Sequence, residues 1–346
     1  MRIDAHAHLF PERFLRRIEA LGDKYPVQIR RPRPGADRVF YAGGREFYTY
    51  MPDFYDVDVR LGQMAESGVD AQVLSLAPPM VYWAEPDLAR ELCQLYNDEI
   101  AAIVRRHPGQ FAALAAVPLQ DTEAAVEELK RAVREDGARG VMLPSVIGSE
   151  DVDSPRLFSF YEAVCDLGLP IFLHPIPRPG PEGLRLRDYR LDVTVGFVMD
   201  TTLAAARLVQ SGILPRLPGL EVMLSHLGGT VPFLWGRLSE GFKMFAGEWE
   251  WGDPADHFAR MYFDAICYRP EPLAYVARLV GAERILYGSD DPFFGAENMR
   301  QAAETIERCA ELDAAAKRMI FGGNAARFFR LEARAGAPSS SRRPDA

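Results

Sequence analysis

Eight short apolar runs recur along the chain, separated by segments of helical spacing, and this alternation restricts the fold more than any single residue does. The runs are RIDAHAH (2–8), DAQVLSL (70–76), FAALAAV (111–117), GVML (140–143), PIFLH (170–174), LEVMLSH (220–226), MYFDAI (261–266) and RILYGSD (284–290). Between them stand PDLARELCQLYNDEIAAIVRRH, TEAAVEELKRAVRED and SPRLFSFYEAVCDLG, with helical spacing of their apolar residues. Strand–helix alternation of this kind gives a parallel sheet. Eight such strands close most simply into a (β/α)8 TIM barrel, an α/β fold. The competing architecture, a doubly wound open sheet, lacks its usual GxGxxG after the first strand.

One stretch breaks the pattern. QIRRPRPGADRVFYAGGREFYTY has Pro and Gly punctuating short aromatic and β-branched runs, which predicts a small inserted sheet or hairpin after strand one, at about 24–56. Residues 1–332 are expected to form one barrel domain. The end of the chain, 333–346, is polar and rich in small residues and is expected to be a disordered tail.

Bulk composition narrows the function classes. Hydrophobic residues are 48% and charged residues 26% of the chain, as in globular proteins. No apolar stretch nears the roughly 20 residues that span a bilayer, so no membrane association is expected. A net charge of −9 without a basic cluster argues against nucleic acid. The four cysteines show no CxxC spacing and the N-terminus has no signal-peptide pattern, which together point to the cytoplasm.

The histidines carry the chemistry. In a strand, side chains two apart share a face, so His6 and His8 project together. In a barrel of this kind, reacting groups come from the C-terminal ends of strands. His6 and His8 close the first run, His174 closes PIFLH, His226 closes LEVMLSH, and Asp290 closes RILYGSD. His107 and His257 lie outside strand ends and are read as surface or packing residues. His6, His8, His174 and Asp290 supply imidazole nitrogens and one carboxylate, a set that suits Zn2+ and is compatible with Fe2+, Mn2+ or Co2+. The fourth run continues GVMLPSVIG, with no bridging carboxylate, so one metal is expected. His226 is read as a general acid or base beside the metal. Asp264 is either a second proton carrier or, preferentially, a group that orients a ligand. Gly228 and Gly229 are expected to let a ligand approach the backbone or, alternatively, to form an ordinary tight loop.

The stretches DAHAHLFP, FLHP, LSHLGG and YGSDDPF, in that order, resemble the amidohydrolase superfamily. Within it they are similar to the branch of metal-dependent decarboxylases that includes α-amino-β-carboxymuconate-ε-semialdehyde decarboxylase. GVDAQVLSLAPPMVYWAEPDLARELCQLYNDEIA, AAVPLQD, GRLSEGF and FGGNAARFF share the likeness, which covers nearly all of residues 1–330. The resemblance implies a distorted barrel with one Zn2+ on His6, His8, His174 and Asp290, His226 as acid/base, and loss of CO2 from a small carboxylic acid without an organic cofactor. It also implies a homodimer in which Arg237 reaches the neighbouring site. Two departures bear on the substrate. Met51 stands where the branch carries a carboxylate-binding arginine, which a thioether cannot replace. Leu191 and Val193 occupy the place of a tryptophan. Arg45, Arg185, Arg187 and Arg190 are alternative guanidinium donors. Tyr48, Tyr50, Tyr82, Trp83 and Phe293 are read either as contacts for a less charged, more aromatic acid or as core-packing residues, and the acid expected is aromatic or ring-opened. The alternative activity on the same residues is hydrolysis of an amide, ester, lactone or activated C–C bond, with His226 serving the leaving group.

Overall fold

The computed structural model describes residues 1–176, 186, 188–246 and 249–331. All eight apolar runs form strands: β1 (Ile3–His8), β5 (Ala71–Ser75), β6 (Phe111–Ala113), β7 (Val141–Pro144), β10 (Pro170–His174), β11 (Glu221–Leu224), β12 (Tyr262–Asp264) and β13 (Ile285–Leu286). The insertion supplies β2 (Val27–Arg30), β3 (Arg38–Ala42) and β4 (Arg45–Tyr50), and a two-residue hairpin supplies β8 (Val146–Ile147) and β9 (Glu150–Asp151). Hydrogen-bonded order runs β1-β5-β6 in one parallel set and β7-β10-β11-β12-β13 in the other.

Backbone bonds join the two sets at both edges. Ala5 N donates to Tyr287 O at 2.8 Å, Asp290 N to His6 O at 2.9 Å and His8 N to Asp291 O at 2.7 Å, closing the seam between β13 and β1. At the other seam Ala115 N donates to Gly140 O at 2.9 Å and Met142 N to Ala115 O at 3.0 Å. The eight strands therefore form a ring. Several are only two or three residues long, since the chain leaves regular pairing early where it enters the mouth.

Every residue of β1 is buried. That is the expected result for a strand covered on one side by the barrel interior and on the other by helices. Alternation puts Asp4, His6 and His8 on the inner face and leaves Ile3, Ala5 and Ala7 for the helical layer. Beneath His6 lies Phe172 of β10, with ring centroids 4.7 Å apart.

The inserted sheet is antiparallel, in the order β2-β3-β4. It ends in a single helical turn, Pro52–Phe54, from which the helix Val57–Ser67 starts with the Asp56 carboxylate accepting from Asp58 N and Val59 N. Phe10, Phe40, Tyr48, Tyr50 and Phe54 interlock where the insertion rests on the end of β1. The expected tail at 333–346 lies outside the described residues.

Candidate active site and metal centre

Two of the expected strand-end residues stand beyond the strands. β11 stops at Leu224 and β13 at Leu286, while His226 and Asp290 occupy left-handed backbone at φ 53° and 60°. Such conformations in non-glycine residues persist only where the surroundings hold them. They turn both side chains back over the mouth, toward the histidines of β1 and β10.

The four histidines and Asp290 form one cluster. His6 Nε2 and His8 Nε2 are 3.0 Å apart, and Asp290 Oδ1 lies 3.1 Å from the first and 3.2 Å from the second. The His174 ring is centred 5.1 Å from His6 and 4.9 Å from His8. His226 Nε2 stands 3.5 Å from the other Asp290 oxygen, Oδ2. Ligand atoms of His6, His174, His226 and Asp290 all fall within 4.8 Å of one another.

The hydrogen bonds at the far side of each ring distinguish the histidines. His6 Nδ1 donates to Asp264 Oδ2 at 2.7 Å. His174 Nδ1 donates to Pro175 O at 2.7 Å, since a carbonyl only accepts. His8 faces Ser75 across the β1–β5 register, with Nδ1 2.9 Å from Ser75 Oγ. Because Ser75 Oγ gives its proton to Ala7 O, it accepts from His8. In all three rings the Nδ1 proton is thus engaged, and the Nε2 lone pair is left for the centre. His226 differs, for its Nδ1 is buried without a hydrogen-bond partner among the described residues.

These residues fit a divalent cation. His174 Nε2 is buried and has no hydrogen-bond partner among the described residues, and leaving a buried acceptor unsatisfied costs about 1–3 kcal/mol. Two ligands at right angles, each about 2.1 Å from one ion, stand about 3 Å apart, close to the 3.0–3.2 Å separations of His6, His8 and Asp290. The electrostatics agree. Burial depresses His8 to about 4 and holds His174 well below the ordinary imidazole range, with neighbouring imidazoles adding to the effect at His174. Burial also opposes charge on His6, but the Asp290 and Asp264 carboxylates more than offset it and lift that ring to about 10. At Asp290 burial is outweighed by His6 and by hydrogen bonds from the surrounding rings, so its carboxyl lies well below its usual range.

Asp264 is buried and saturated. Besides His6 Nδ1, it accepts from His226 N at 2.8 Å, Leu227 N at 2.8 Å and Ile266 N at 3.0 Å. A carboxylate with four donors has little room to carry a proton, which favours the orienting reading over the proton-carrier one. Through it, the tautomer of His6 and the left-handed turn at His226 are held by one group. The reading of Gly228 and Gly229 is corrected. A side chain at Gly228 would meet the Phe263 ring at 2.5 Å and one at Gly229 would meet Val198 O at 2.2 Å. Both glycines let protein, rather than a ligand, approach the turn.

An aromatic rim continues from the cluster. His8 neighbours Phe293 (5.9 Å between centroids), Phe293 neighbours Tyr48 (5.2 Å), Tyr48 neighbours Phe47 (5.9 Å), Phe47 neighbours Phe197 (6.5 Å), and Phe197 lies along His226 (6.4 Å). Phe293 thus stands against His8 and Tyr48 against Phe293, and the Tyr48 hydroxyl donates to Pro78 O. Phe47 and Phe197 escaped the sequence reading. The first is one of several alternating aromatics and the second belongs to a helical segment, so neither stands at a strand end.

Trp83 donates to Met80 O at 2.9 Å and packs on Tyr25, while Tyr82 donates to Val117 O at 3.1 Å and is buried. Met51 starts the turn at Pro52 and is about half exposed. Arg237 is exposed, with no ion pair among the described residues. Arg45 lies 3.5 Å from Asp192, and Arg190 donates to Phe47 O at 3.1 Å. Arg185 and Arg187 lie outside the described residues. His107 and His257 serve packing: His107 caps the helix Pro86–Arg106 and His257 bonds Trp251 O at 2.8 Å.

The amidohydrolase family model matches residues 3–331. The chain belongs to the amidohydrolase family. Among its relatives in that family is 2-amino-3-carboxymuconate-6-semialdehyde decarboxylase of Dictyostelium discoideum, 31% identical over 96% of this chain and 92% of the relative. The solved structure of IDCase from Metarhizium anisopliae superimposes with a TM-score of 0.86 at 25% identity, covering 97% of this chain and 98% of that one. A dihydroxybenzoic acid decarboxylase from Polaromonas, solved with bound manganese and the inhibitor 2-nitroresorcinol, superimposes with a TM-score of 0.76 at 26% identity, covering 95% and 97%. The family barrel expected from the eight apolar runs is the one observed. No helix among the described residues is long and apolar enough to cross a membrane.

Proposed function

We propose that this chain is a metal-dependent decarboxylase that removes CO2 from an aromatic or ring-opened, muconate-semialdehyde-like carboxylic acid. The observation that carries the reading is the convergence of three tautomer-locked Nε2 atoms and one carboxylate beside a fourth, unlocked histidine. The decarboxylases among its relatives support the reaction class. His6, His8, His174 and Asp290 would hold the cation, with Zn2+ the first choice from the ligand set and Mn2+ supported by the Polaromonas structure. A divalent cation there would orient and polarise an oxygen of the acid.

The chain's own residues account for the remaining requirements. Phe293, Tyr48, Phe47 and Phe197 form a rim along which a planar acid can lie. His226, free at Nδ1 and 3.5 Å from Asp290 at Nε2, delivers a proton to the carbon that bears the carboxylate. The bond from that carbon to the carboxylate then breaks and CO2 leaves. Its electron pair returns to the substrate, and the proton stays on carbon. Asp264 keeps His6 and the His226 turn in register. Exposed Phe233, Met244 and Phe245, which are 84%, 81% and 89% accessible and close to Arg237 in sequence, support a homodimer in which Arg237 serves the neighbouring site.

The test is direct. Protein loaded with Zn2+ or Mn2+ is incubated with hydroxybenzoic acids and muconic-type acids, and CO2 and the decarboxylated product are measured. Release of both from at least one acid, abolished by a chelator and restored by metal, is the expected result. Cleavage of amides or esters with no CO2 from any acid would replace this reading with the hydrolytic one.

A further inference from the structure

Arg60, on the helix Val57–Ser67, is fully buried. A buried guanidinium is tolerated only where partners take up its charge. Nη2 donates to His8 O at 2.9 Å and to Asp53 O at 2.7 Å, Nη1 donates to Gln72 Oε1 at 3.0 Å, and Nε is ion-paired with Asp291 Oδ2 at 2.8 Å without hydrogen-bond geometry. Asp291 is also wholly buried, and Gln72 Nε2 bridges Asp291 Oδ2 and Asp4 Oδ2 at 3.2 Å each. Two of these partners are a proposed metal ligand's own carbonyl and the residue adjoining another ligand.

We propose that Arg60 is a positioning residue of the metal centre, clamping the His8 carbonyl and the Asp291 carboxylate together so that Asp290 is kept facing the histidines. The inference rests on the proposed cation site. Asp290 has φ 60°, a strained conformation for a non-glycine residue that persists only where its flanks are fixed. On one flank, Asp4 accepts from Ser289 N at 3.0 Å and from Ser289 Oγ at 2.5 Å, and Asn298 donates to Ser289 O. On the other flank, Asp291 O accepts from His8 N at 2.7 Å, and Arg60 links the Asp291 carboxylate back to His8 O. The circuit His8 N to Asp291 O, Asp291 Oδ2 to Arg60, Arg60 to His8 O closes on two ligand-bearing segments. Without Arg60, Asp291 becomes an unpaired buried charge and Asp290 is free to relax to ordinary backbone. A lysine keeps the charge but lacks the planar fork that reaches four segments at once.

Three variants test this: Arg60→Lys, Arg60→Met, and Arg60→Met combined with Asp291→Asn. Dissociation constants for Zn2+ and Mn2+ are measured by competition with a chromophoric chelator, beside thermal melting and circular dichroism. Arg60→Lys is expected to fold and to bind metal about 10- to 100-fold more weakly than the parent. The double variant, with both charges gone, is expected to melt above Arg60→Met and still to bind metal as weakly. Arg60→Lys, or a folded double variant, that binds metal as tightly as the parent would overturn the inference and leave Arg60 a structural residue. A parent chain that binds neither metal would instead overturn the proposed cation site, and this inference with it. Should the methionine variants not fold, Arg60→Lys decides alone.

Discussion

His226 and Asp290 are 3.5 Å apart and share left-handed backbone, yet they are expected to fail differently when removed. His226 lacks the Nδ1 anchor that sets the other three rings and faces Asp290 Oδ2, whereas His6 and His8 share Oδ1. His226→Ala should therefore keep the parental metal content and lose about two to four orders of magnitude in turnover, the range typical of a general acid or base. Asp290→Ala removes the carboxylate that balances the cation and should lower metal affinity itself. Metal analysis after gel filtration, alongside CO2 release, separates the two. Near-full turnover in the first variant would remove the acid/base role, and full metal occupancy in the second would remove the ligand role.

At the scale of elements, the turn after β11 fits closely against the ring of Phe263 on β12. Gly228 has φ 76° and a Cβ there would lie 2.5 Å from the ring. Gly228→Ala is expected to cost about 1–3 kcal/mol by overpacking and backbone strain, read as a lower melting temperature. Turnover should fall too, since the displaced turn carries His226. Unchanged melting and rate would show the turn to be compliant. The same turn marks the limit of what the sequence discloses. The β1 histidine pair, His174, and the eight apolar runs were legible because strand periodicity and strand-end placement are local patterns. His226 and Asp290 were recognised as residues, but not as loop positions, because left-handed backbone in a non-glycine is imposed by distant groups such as Asp264. The glycines were legible as close approaches, while their partners, Phe263 and Val198, were not. Arg60 left no signal at all: on a helix of mixed polarity, an arginine reads as a solvated charge until the fold surrounds it with Asp291, Gln72 and His8.

At the scale of the whole molecule, the question is whether one chain completes its own site. Arg237 begins a turn of helix, and Phe233, Met244 and Phe245, close to it in sequence, are more than four-fifths exposed. If Arg237 serves the partner, Arg237→Ala and His226→Ala should each be nearly inactive alone but complement when mixed. In the mixed dimer, the subunit carrying Arg237→Ala retains its own His226 and receives Arg237 from the other. Random reassortment makes about half of the dimers mixed, each with one complete site, so turnover should recover to about a quarter of the parent. Sedimentation of the parent should show a dimer, and Phe233→Glu with Phe245→Glu should shift it toward monomer and block the recovery. If Arg237 acts within its own chain, the mixed dimer has no complete site, and the mixture stays as inactive as its components.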